Sequence, residues 1–220
     1  MKGKSVKVAA IVLVVTGLLG IECSNDNPKQ ATTTTKPTTT TTKPASKAGF
    51  VEFKDTKVGW AISYPEHWLL LQAKDAEVSL VASELLPAEN KGGSLLARVV
   101  NLGTRIGEEE LAEARKITDP IVIGVEGVQL RAEPLVLHQG GLPGYFYFYT
   151  FKDATSGKQG AHSHYFLFKG QTMITLVFQA VPDSEFARLA TLFDEIIGTF
   201  RVLAPSEATA TSTTTAPPGR

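Results

Sequence analysis

Residues 145–151 read Tyr-Phe-Tyr-Phe-Tyr-Thr-Phe, an aromatic run typical of a β-strand. A polar loop over 153–160 follows, and then come two further apolar runs, 162–168 and 172–180, separated by Lys169-Gly170. The sequence therefore predicts an antiparallel meander of three strands with a tight turn at Lys169-Gly170.

The last two of these strands carry large apolar side chains on both faces. A two-residue turn at Lys169-Gly170 would place Phe168 opposite Gln171 and Phe166 opposite Met173. Alternation then assigns Tyr165, Leu167, Ile174, Leu176 and Phe178 to one face, and His162, His164, Phe166, Phe168, Met173 and Val177 to the other. A sheet with two apolar faces is expected to be covered on both sides.

Other segments supply further strands and two helices. Strands are predicted at 50–53, 58–64, 78–83, 95–101 and 128–137, the last interrupted at Pro134, with a short closing strand at Phe200 and Val202. One helix is predicted over 107–116, with its acids in the first turn and its bases in the last. A second opens at Pro182-Asp183-Ser184 and is stopped by Gly198. Its apolar side chains recur at helical spacing: Phe186, Leu189, Ala190, Phe193, Ile196 and Ile197.

These elements predict an α+β fold, a central antiparallel sheet flanked by helices on both faces. They fall within a single domain at 49–203, which is long enough to bury one good core. Trp68, in the turn after Pro65, is expected to fill that core rather than to stack on a ligand.

Three short segments carry a family resemblance. They are Gly-Trp-Ala-Ile-Ser-Tyr-Pro-Glu-His-Trp at 59–68, Gly-Leu-Pro-Gly-Tyr at 141–145 and Ile-Ile-Gly-Thr-Phe at 196–200. Together with the aromatic hairpins, their order resembles the PsbP-like domain, shared by the photosystem II extrinsic subunit, a Ran-binding nuclear import factor and LpqN-type bacterial lipoproteins. The resemblance implies an α-β-α sandwich that acts as a binding or assembly module. It transfers no functional residue to this chain.

The amino terminus predicts a lipoprotein signal peptide at 1–22. Lys2, Lys4 and Lys7 precede a 14-residue uncharged run at 8–21, which is too short to span a bilayer and fits a secretory signal. Cys23 follows this run and resembles the cysteine that is diacylated in bacterial lipoproteins, although Glu22 stands where that family has Gly, Ala or Ser. The alternatives are cleavage at a nearby site and an uncleaved short anchor.

Residues 23–48 form a Thr/Pro-rich segment that predicts a disordered linker, and the Thr/Ala/Pro-rich tail at 204–220 has the same character. The formal net charge is zero, but residues 1–48 hold seven lysines and two acids, giving +5, whereas residues 49–202 hold 14 basic and 19 acidic residues, giving −5. A mildly acidic folded part argues against nucleic-acid binding, which needs a basic surface. The single cysteine excludes an intramolecular disulfide and any multi-cysteine metal site.

The candidate binding surface consists of three tyrosines and two histidines. One strand face carries Tyr145, Tyr147 and Tyr149. If exposed, these side chains would form an aromatic recognition patch, and if buried they would be part of the core; burial is the favoured alternative. His162 and His164 also share a face and could donate two imidazoles to a metal, but no third ligand is placed by spacing. The sequence contains no catalytic motif and predicts no metal and no cofactor.

The combined prediction is a monomeric extracytoplasmic lipoprotein, held on a bacterial membrane through acylated Cys23. Its domain would be non-catalytic and would bind or assemble with another envelope protein. The alternative function is a carrier of lipid or another apolar ligand, using a pocket between sheet and helix.

Overall fold

The aromatic run at 145–151 lies inside a seven-stranded antiparallel sheet. A computed structural model describes residues 47–73, 75–84, 91–154 and 156–208. In chain order the elements are β1 (Phe50–Asp55), β2 (Trp60–Pro65), β3 (Leu69–Leu70), β4 (Val78–Ser83), β5 (Gly92–Ile106), α1 (Leu111–Val122), β6 (Gln129–Leu130), β7 (Leu135–Gln139), β8 (Leu142–Lys152), β9 (Gln159–Val181), α2 (Phe186–Ile197), β10 (Arg201–Val202) and α3 (Pro205–Ala208).

Two sheets form from these strands. The large sheet has the order β3-β4-β5-β9-β8-β6, and β7 pairs with β8 along the same edge as β6. The small sheet has the order β1-β2-β10, so that the first and last strands of the domain flank β2. This α+β architecture agrees with the predicted fold class, and the predicted closing strand after Phe200 is confirmed as β10.

The 23-residue extended run β9 turns back on itself. Its first half pairs with β8 and its second half pairs with β5. The His162 Nε2 atom lies 2.9 Å from Gln179 Oε1, although 17 residues of straight strand would separate the two by about 55 Å. Residues 162 and 179 are equidistant from the midpoint between Gly170 and Gln171, as are Gly160 and Val181, which also approach each other.

The predicted hairpin is therefore present, with its turn one residue later than predicted. Gly170 has a φ of +62°, a backbone conformation that glycine adopts without strain. Moving the centre of the turn by one residue shifts the register by two, so Phe168 comes opposite Met173 rather than Gln171. Because side chains alternate with a period of two, every residue stays on its predicted face.

Two core clusters divide the hairpin side chains as predicted. The first contains Leu167, Ile174, Leu176 and Phe178, together with Trp60, Trp68 and four residues of α2: Leu189, Phe193, Ile196 and Ile197. The second contains Phe166, Phe168 and Met173 with the three tyrosines of β8 and with Leu111, Ala114 and Val122 of α1. Trp68 is 4% exposed, so its predicted role in the core is confirmed.

The first helix lies later in the sequence than predicted. The acidic residues 108–110 precede α1 rather than forming its first turn, and the helix continues beyond Lys116 to Val122. The buried stripe of Leu111, Ala114, Thr118 and Val122 accounts for these bounds, since it is the part that packs against the sheet. Pro120 stands within the last turn of the helix.

The second helix also differs at its start. Residues 183–185 form a single 3₁₀ turn, and α2 then begins at Phe186 without a side-chain capping bond at Glu185. The predicted apolar stripe is present, but it is unevenly covered: Leu189, Phe193, Ile196 and Ile197 are buried, whereas Phe186 and Ala190 are half-buried.

The ends of the chain fall largely outside the described residues. The predicted signal peptide, Cys23, residues 23–46 of the predicted linker and residues 209–220 of the predicted tail all lie there. The first residues of that tail instead form α3, where Glu207 accepts hydrogen bonds from Arg201 (2.9 Å) and Lys54 (3.2 Å). Within the described part of the chain, no helix has the length and apolar character needed to cross a membrane.

A substitution at Gly144 tests how closely β8 and β9 approach each other. A Cβ added there would lie 2.1 Å from the backbone oxygen of Phe166 on the neighbouring strand. We expect Gly144→Ala to lower the free energy of unfolding by about 3 kcal/mol or more, measured by urea denaturation, because backbone must move. Gly157→Ala is the control: its methyl meets nothing within 4 Å, so only the positive φ costs about 1 kcal/mol. Equal losses for the two variants would contradict the close approach of the strands.

Candidate functional site

The five residues of the predicted binding surface come together, but they do not form a surface. Tyr145, Tyr147, Tyr149 and His164 are buried, and His162 is half-buried. The pairing of β8 with β9 places Tyr147 opposite His164 and Tyr149 opposite His162. The three tyrosines therefore belong to the core, as the sequence favoured, and do not form a recognition patch, because α1 covers this face.

One hydroxyl joins the two histidines. The Tyr149 oxygen lies 2.9 Å from His162 Nδ1 and 3.1 Å from His164 Nδ1, and His162 Nε2 lies 2.9 Å from Gln179 Oε1. The Gln179 oxygen can only accept, so neutral His162 carries its proton on Nε2 and accepts from Tyr149 through Nδ1. Tyr149 in turn accepts from His164 Nδ1–H. This leaves His164 Nε2 as a buried acceptor without a hydrogen-bond partner among the described residues.

Burial keeps the members of this chain neutral. It lowers the pKa of His162 to about 4, an effect that the hydrogen bond from His162 to Gln179 and the charge of Asp153 partly offset. Burial, and then the neighbouring His162, hold the pKa of His164 well below its usual value, and burial raises the pKa of the Tyr149 hydroxyl. Because these groups are neutral at neutral pH and hydrogen-bonded to one another, the arrangement stabilises the core rather than moving protons.

The other two tyrosines attach α1 to the sheet. The Tyr145 hydroxyl donates to the Leu111 carbonyl at 2.9 Å. The Tyr147 hydroxyl bonds to Thr118 Oγ1 at 2.7 Å and donates to the Asp119 carboxylate. Burial, followed by the Asp119 bond, raises the pKa of Tyr147 to about 12. These hydroxyls are therefore satisfied within the core and unavailable to a ligand.

The histidine pair does not extend into a metal site. Both Nδ1 atoms are directed to the Tyr149 hydroxyl. Across the residues that the structure describes, no group of three or more His, Cys, Asp or Glu side chains is placed to hold a metal ion.

An open groove lies on the opposite face of β8, between the sheet and α2. Its volume is about 230 Å³. Five aromatic rings line it, together with two small residues and two polar ones: Phe146, Phe148, Tyr165, Phe186 and Phe193, then Ala132 and Ala190, then Ser163 and Asp194. Phe146, Phe148, Tyr165 and Phe186 are each half-buried, so their rings are only partly covered by the protein.

The groove follows from the order of side chains along α2. Phe186, Ala190 and Phe193 lie on one face of the helix, with the small Ala190 between two rings. On the sheet, Phe146 packs against Tyr165 of the neighbouring strand with ring centroids 4.9 Å apart, and Phe148 packs against Phe186 of α2 at 4.7 Å. A methyl group at position 190 does not fill the space between these rings, so the groove remains open.

The polar groups of the groove are few. Ser163 is buried, and Asp194 is exposed at the rim. Burial, and then the negative charge of Asp194, raise the pKa of Tyr165 to about 12. A mostly apolar concavity with a few polar groups is the usual form of a binding site.

A second depression, of about 360 Å³, lies at the end of β8. It is lined by Gly127, Gln129, Phe151, Lys152, Gly157 and Gln159. Lys152 is the one titratable side chain among these lining residues, so the depression brings no pair of reactive groups together. The aromatic groove is the stronger candidate site because several apolar rings converge there.

Comparison with solved structures identifies the fold. The solution structure of cyanobacterial PsbP (CyanoP) from Synechocystis sp. PCC 6803 matches with a TM-score of 0.52 and 16% identity, covering 71% of this chain and 94% of that one. LpqN of Mycobacterium tuberculosis, described as involved in cell envelope biogenesis, matches with a TM-score of 0.50 and 14% identity, covering 66% and 83%. The chain has a PsbP-like fold. No protein-family model matches the sequence, and neither does any curated protein.

The sequence predicted a pocket between sheet and helix only for the carrier alternative, and it did not identify the residues that line the groove of this PsbP-like domain. Two signals pointed to them. The alternation that groups the three tyrosines also puts Phe146 and Phe148 together on the other face of β8. The α2 stripe has its one small residue, Ala190, at the centre of a bulky series. Neither signal is decisive before the helix is placed on the sheet.

The buried histidines predict a loss of stability in acid. Between pH 6.5 and about 4 the unfolded chain protonates His162 while the folded domain leaves it neutral, so the free energy of unfolding falls as pH falls. From pH 7 to pH 5 we expect His162 alone to contribute a loss of up to about 2 kcal/mol, measured by urea denaturation.

Replacing His164 with Phe separates this effect from general acid sensitivity. The His164 ring stacks on Phe166 with centroids 4.1 Å apart, so a phenyl ring retains the packing but cannot titrate. We expect His164→Phe to reduce the difference in unfolding free energy between pH 7 and pH 5. Phe166→Leu is the control, since it disturbs the same ring stack without removing a titratable group, and it should leave that difference in place. An unchanged pH dependence in His164→Phe would be evidence against the role of the buried imidazole.

Proposed function

We propose that this chain is an extracytoplasmic lipoprotein whose PsbP-like domain is a non-catalytic binding module. Acylated Cys23 holds it on a bacterial membrane, and residues 24–48 carry the domain away from the surface. The domain then contacts another component of the cell envelope through the aromatic groove. Its layers comprise a central sheet with α1 and α2 on opposite faces, an arrangement supported by the membership of the two core clusters.

The groove is the observation that carries this proposal. Four half-buried aromatic rings around one concavity leave apolar area in contact with water, which burial against a partner would remove. Aromatic residues are enriched in the centres of protein–protein interfaces, where they fill pockets and contribute most of the binding energy. The hairpin side chains in the two core clusters are covered by α1 on one face and by α2 and β2 on the other, so this opening is a local feature of the sheet.

The chemistry of the groove favours binding over catalysis. Its titratable groups are the Asp194 carboxylate and the Tyr165 hydroxyl, whose pKa is raised. Ser163 has no histidine or lysine beside it among the lining residues, so no activated nucleophile is assembled there. The likeness to LpqN, a protein involved in cell envelope biogenesis, and the lipoprotein-like amino terminus both support an envelope location.

A carrier of lipid or another apolar ligand is the second candidate. The groove lies between sheet and helix, where such a ligand would be held. Its volume of about 230 Å³ is, however, below the 300–1,000 Å³ that small-molecule sites commonly occupy. Native mass spectrometry of the purified chain distinguishes the two, because a carrier would retain a bound lipid and a protein-binding module would not.

Site-specific photocrosslinking in intact cells tests the binding face. Ala132 is exposed and lines the groove, so a photoreactive residue there should give a discrete crosslinked partner. The same residue at Lys116, on the exposed side of α1, is the control and should give none. Adding Ala190→Leu, which fills the groove, should abolish the adduct at position 132. An adduct that is equally strong at Lys116, or that survives Ala190→Leu, would contradict the proposal.

Membrane fractionation tests the anchor independently. We expect Cys23→Ala to move the protein from the membrane fraction to the soluble fraction, because the thiol that would carry the lipid is lost. Ser24→Ala, the neighbouring substitution, should leave it on the membrane. Membrane association that persists in Cys23→Ala would show that the anchor is not a lipid on this residue.

A further inference from the structure

The aromatic groove contains one charged group, the carboxylate of Asp194 at its rim. The rings around it pack against one another in tilted and T-shaped pairs, with the Phe186 and Phe193 centroids 5.8 Å apart in addition to the pairs already described. Aromatic rings present a negative face, which attracts cations placed over them. A carboxylate and five aromatic rings line the same space, so a cation that enters it can meet both the negative charge and the face of a ring.

The Asp194 carboxylate differs from its charged neighbours in having no counter-ion among the residues that the structure describes. Glu195 forms an ion pair with Lys47 at 2.7 Å, and Arg188 on the same helix is paired with Glu84 and Glu185 at 2.9 Å. No lysine or arginine of the described chain lies within ion-pair distance of Asp194. Its field reaches into the groove, since its charge contributes to the raised pKa of Tyr165.

The net charge of the folded domain is negative, like that of the Asp194 carboxylate. Residues 49–202 carry a formal charge of −5, which steers basic partners toward the domain. The groove volume of about 230 Å³ suits one long side chain better than a whole small molecule.

We propose that the groove receives an arginine side chain of a partner protein, with the guanidinium group stacked on the rings and paired with Asp194. This inference rests on the proposed binding function and adds the chemistry of the ligand. Arginine fits because its planar guanidinium stacks on aromatic faces while donating two parallel hydrogen bonds to a carboxylate. Its apolar stem would lie against the half-buried phenylalanines. A lysine ammonium is more strongly hydrated and cannot stack, so it would bind less well.

The test compares arginine with citrulline, its uncharged counterpart of nearly the same shape. N-acetyl-arginine methylamide and N-acetyl-citrulline methylamide are titrated into the chain carrying Cys23→Ala, and amide shifts are followed by two-dimensional NMR. We expect arginine to shift residues lining the groove and to bind at least about tenfold more tightly than citrulline, because both the ring and the carboxylate interactions need the charge.

Three variants assign the effect to the groove. Asp194→Asn should weaken arginine binding by about fivefold and leave citrulline unchanged, since one partly exposed ion pair is lost. Glu195→Gln is the matched control, as this neighbouring carboxylate is absent from the groove lining, and it should leave both affinities unchanged. Ala190→Leu should abolish binding of both probes by filling the space.

Other outcomes overturn the inference. Equal binding of arginine and citrulline would show an apolar site without charge selection, and the absence of groove shifts with either probe would show no arginine site. Choline binding more tightly than arginine would point to a lipid headgroup instead of a protein side chain. If crosslinking at position 132 succeeds while arginine selectivity fails, the binding function stands and the ligand assignment is wrong. If both fail, the groove is not a binding site.

Discussion

Side-chain alternation in β8 and β9 is the constraint on which the rest of this domain depends. Large apolar groups lie on both faces of these strands, so neither face can be left in water. One set packs with α2, β1 and β2, and the other packs with α1. The hydroxyls of Tyr145 and Tyr147 add hydrogen bonds that fix α1 to its side. The need to bury the apolar side chains on both faces of the hairpin thus positions the helices.

The period-two pattern made the faces of the sheet predictable from sequence. An error of one residue in the turn position changed which residues are opposite each other, but it could not move Phe168 or Leu167 to the other face. Helix positions were less well determined. The acidic residues 108–110 resemble a favourable first turn of a helix. The bounds of α1 instead match the residues that pack against the tyrosines, and this packing depends on tertiary structure that the local sequence does not contain. Local sequence therefore predicted the faces of the strands more accurately than the bounds of the helices.

The candidate site shows the same division. Sequence grouped Tyr145, Tyr147 and Tyr149 correctly, and it also grouped His162 with His164, but it could not say which face a helix would cover completely. Coverage depends on how far α2 reaches over β8. In the structure the tyrosine face is closed, and the phenylalanine face is partly open beside Ala190. The face proposed for binding is accordingly the one to which sequence reasoning assigned no candidate residues.

Incomplete coverage beside Ala190 has an energetic consequence. Each exposed square ångström of the rings forgoes about 25 cal/mol of burial, which a larger residue at position 190 could recover. Burial of both apolar faces stabilises the rest of the hairpin. A gap lined by four half-buried rings therefore lowers the free energy of unfolding below what full coverage would give. Sites that lose stability in this way are common where a surface must remain available to a partner. Asp194 at the same rim, which has no ion-pair partner in the described part of the chain, fits that interpretation: an exposed carboxylate contributes little to the fold, and the proposed role for it is to select a cationic ligand.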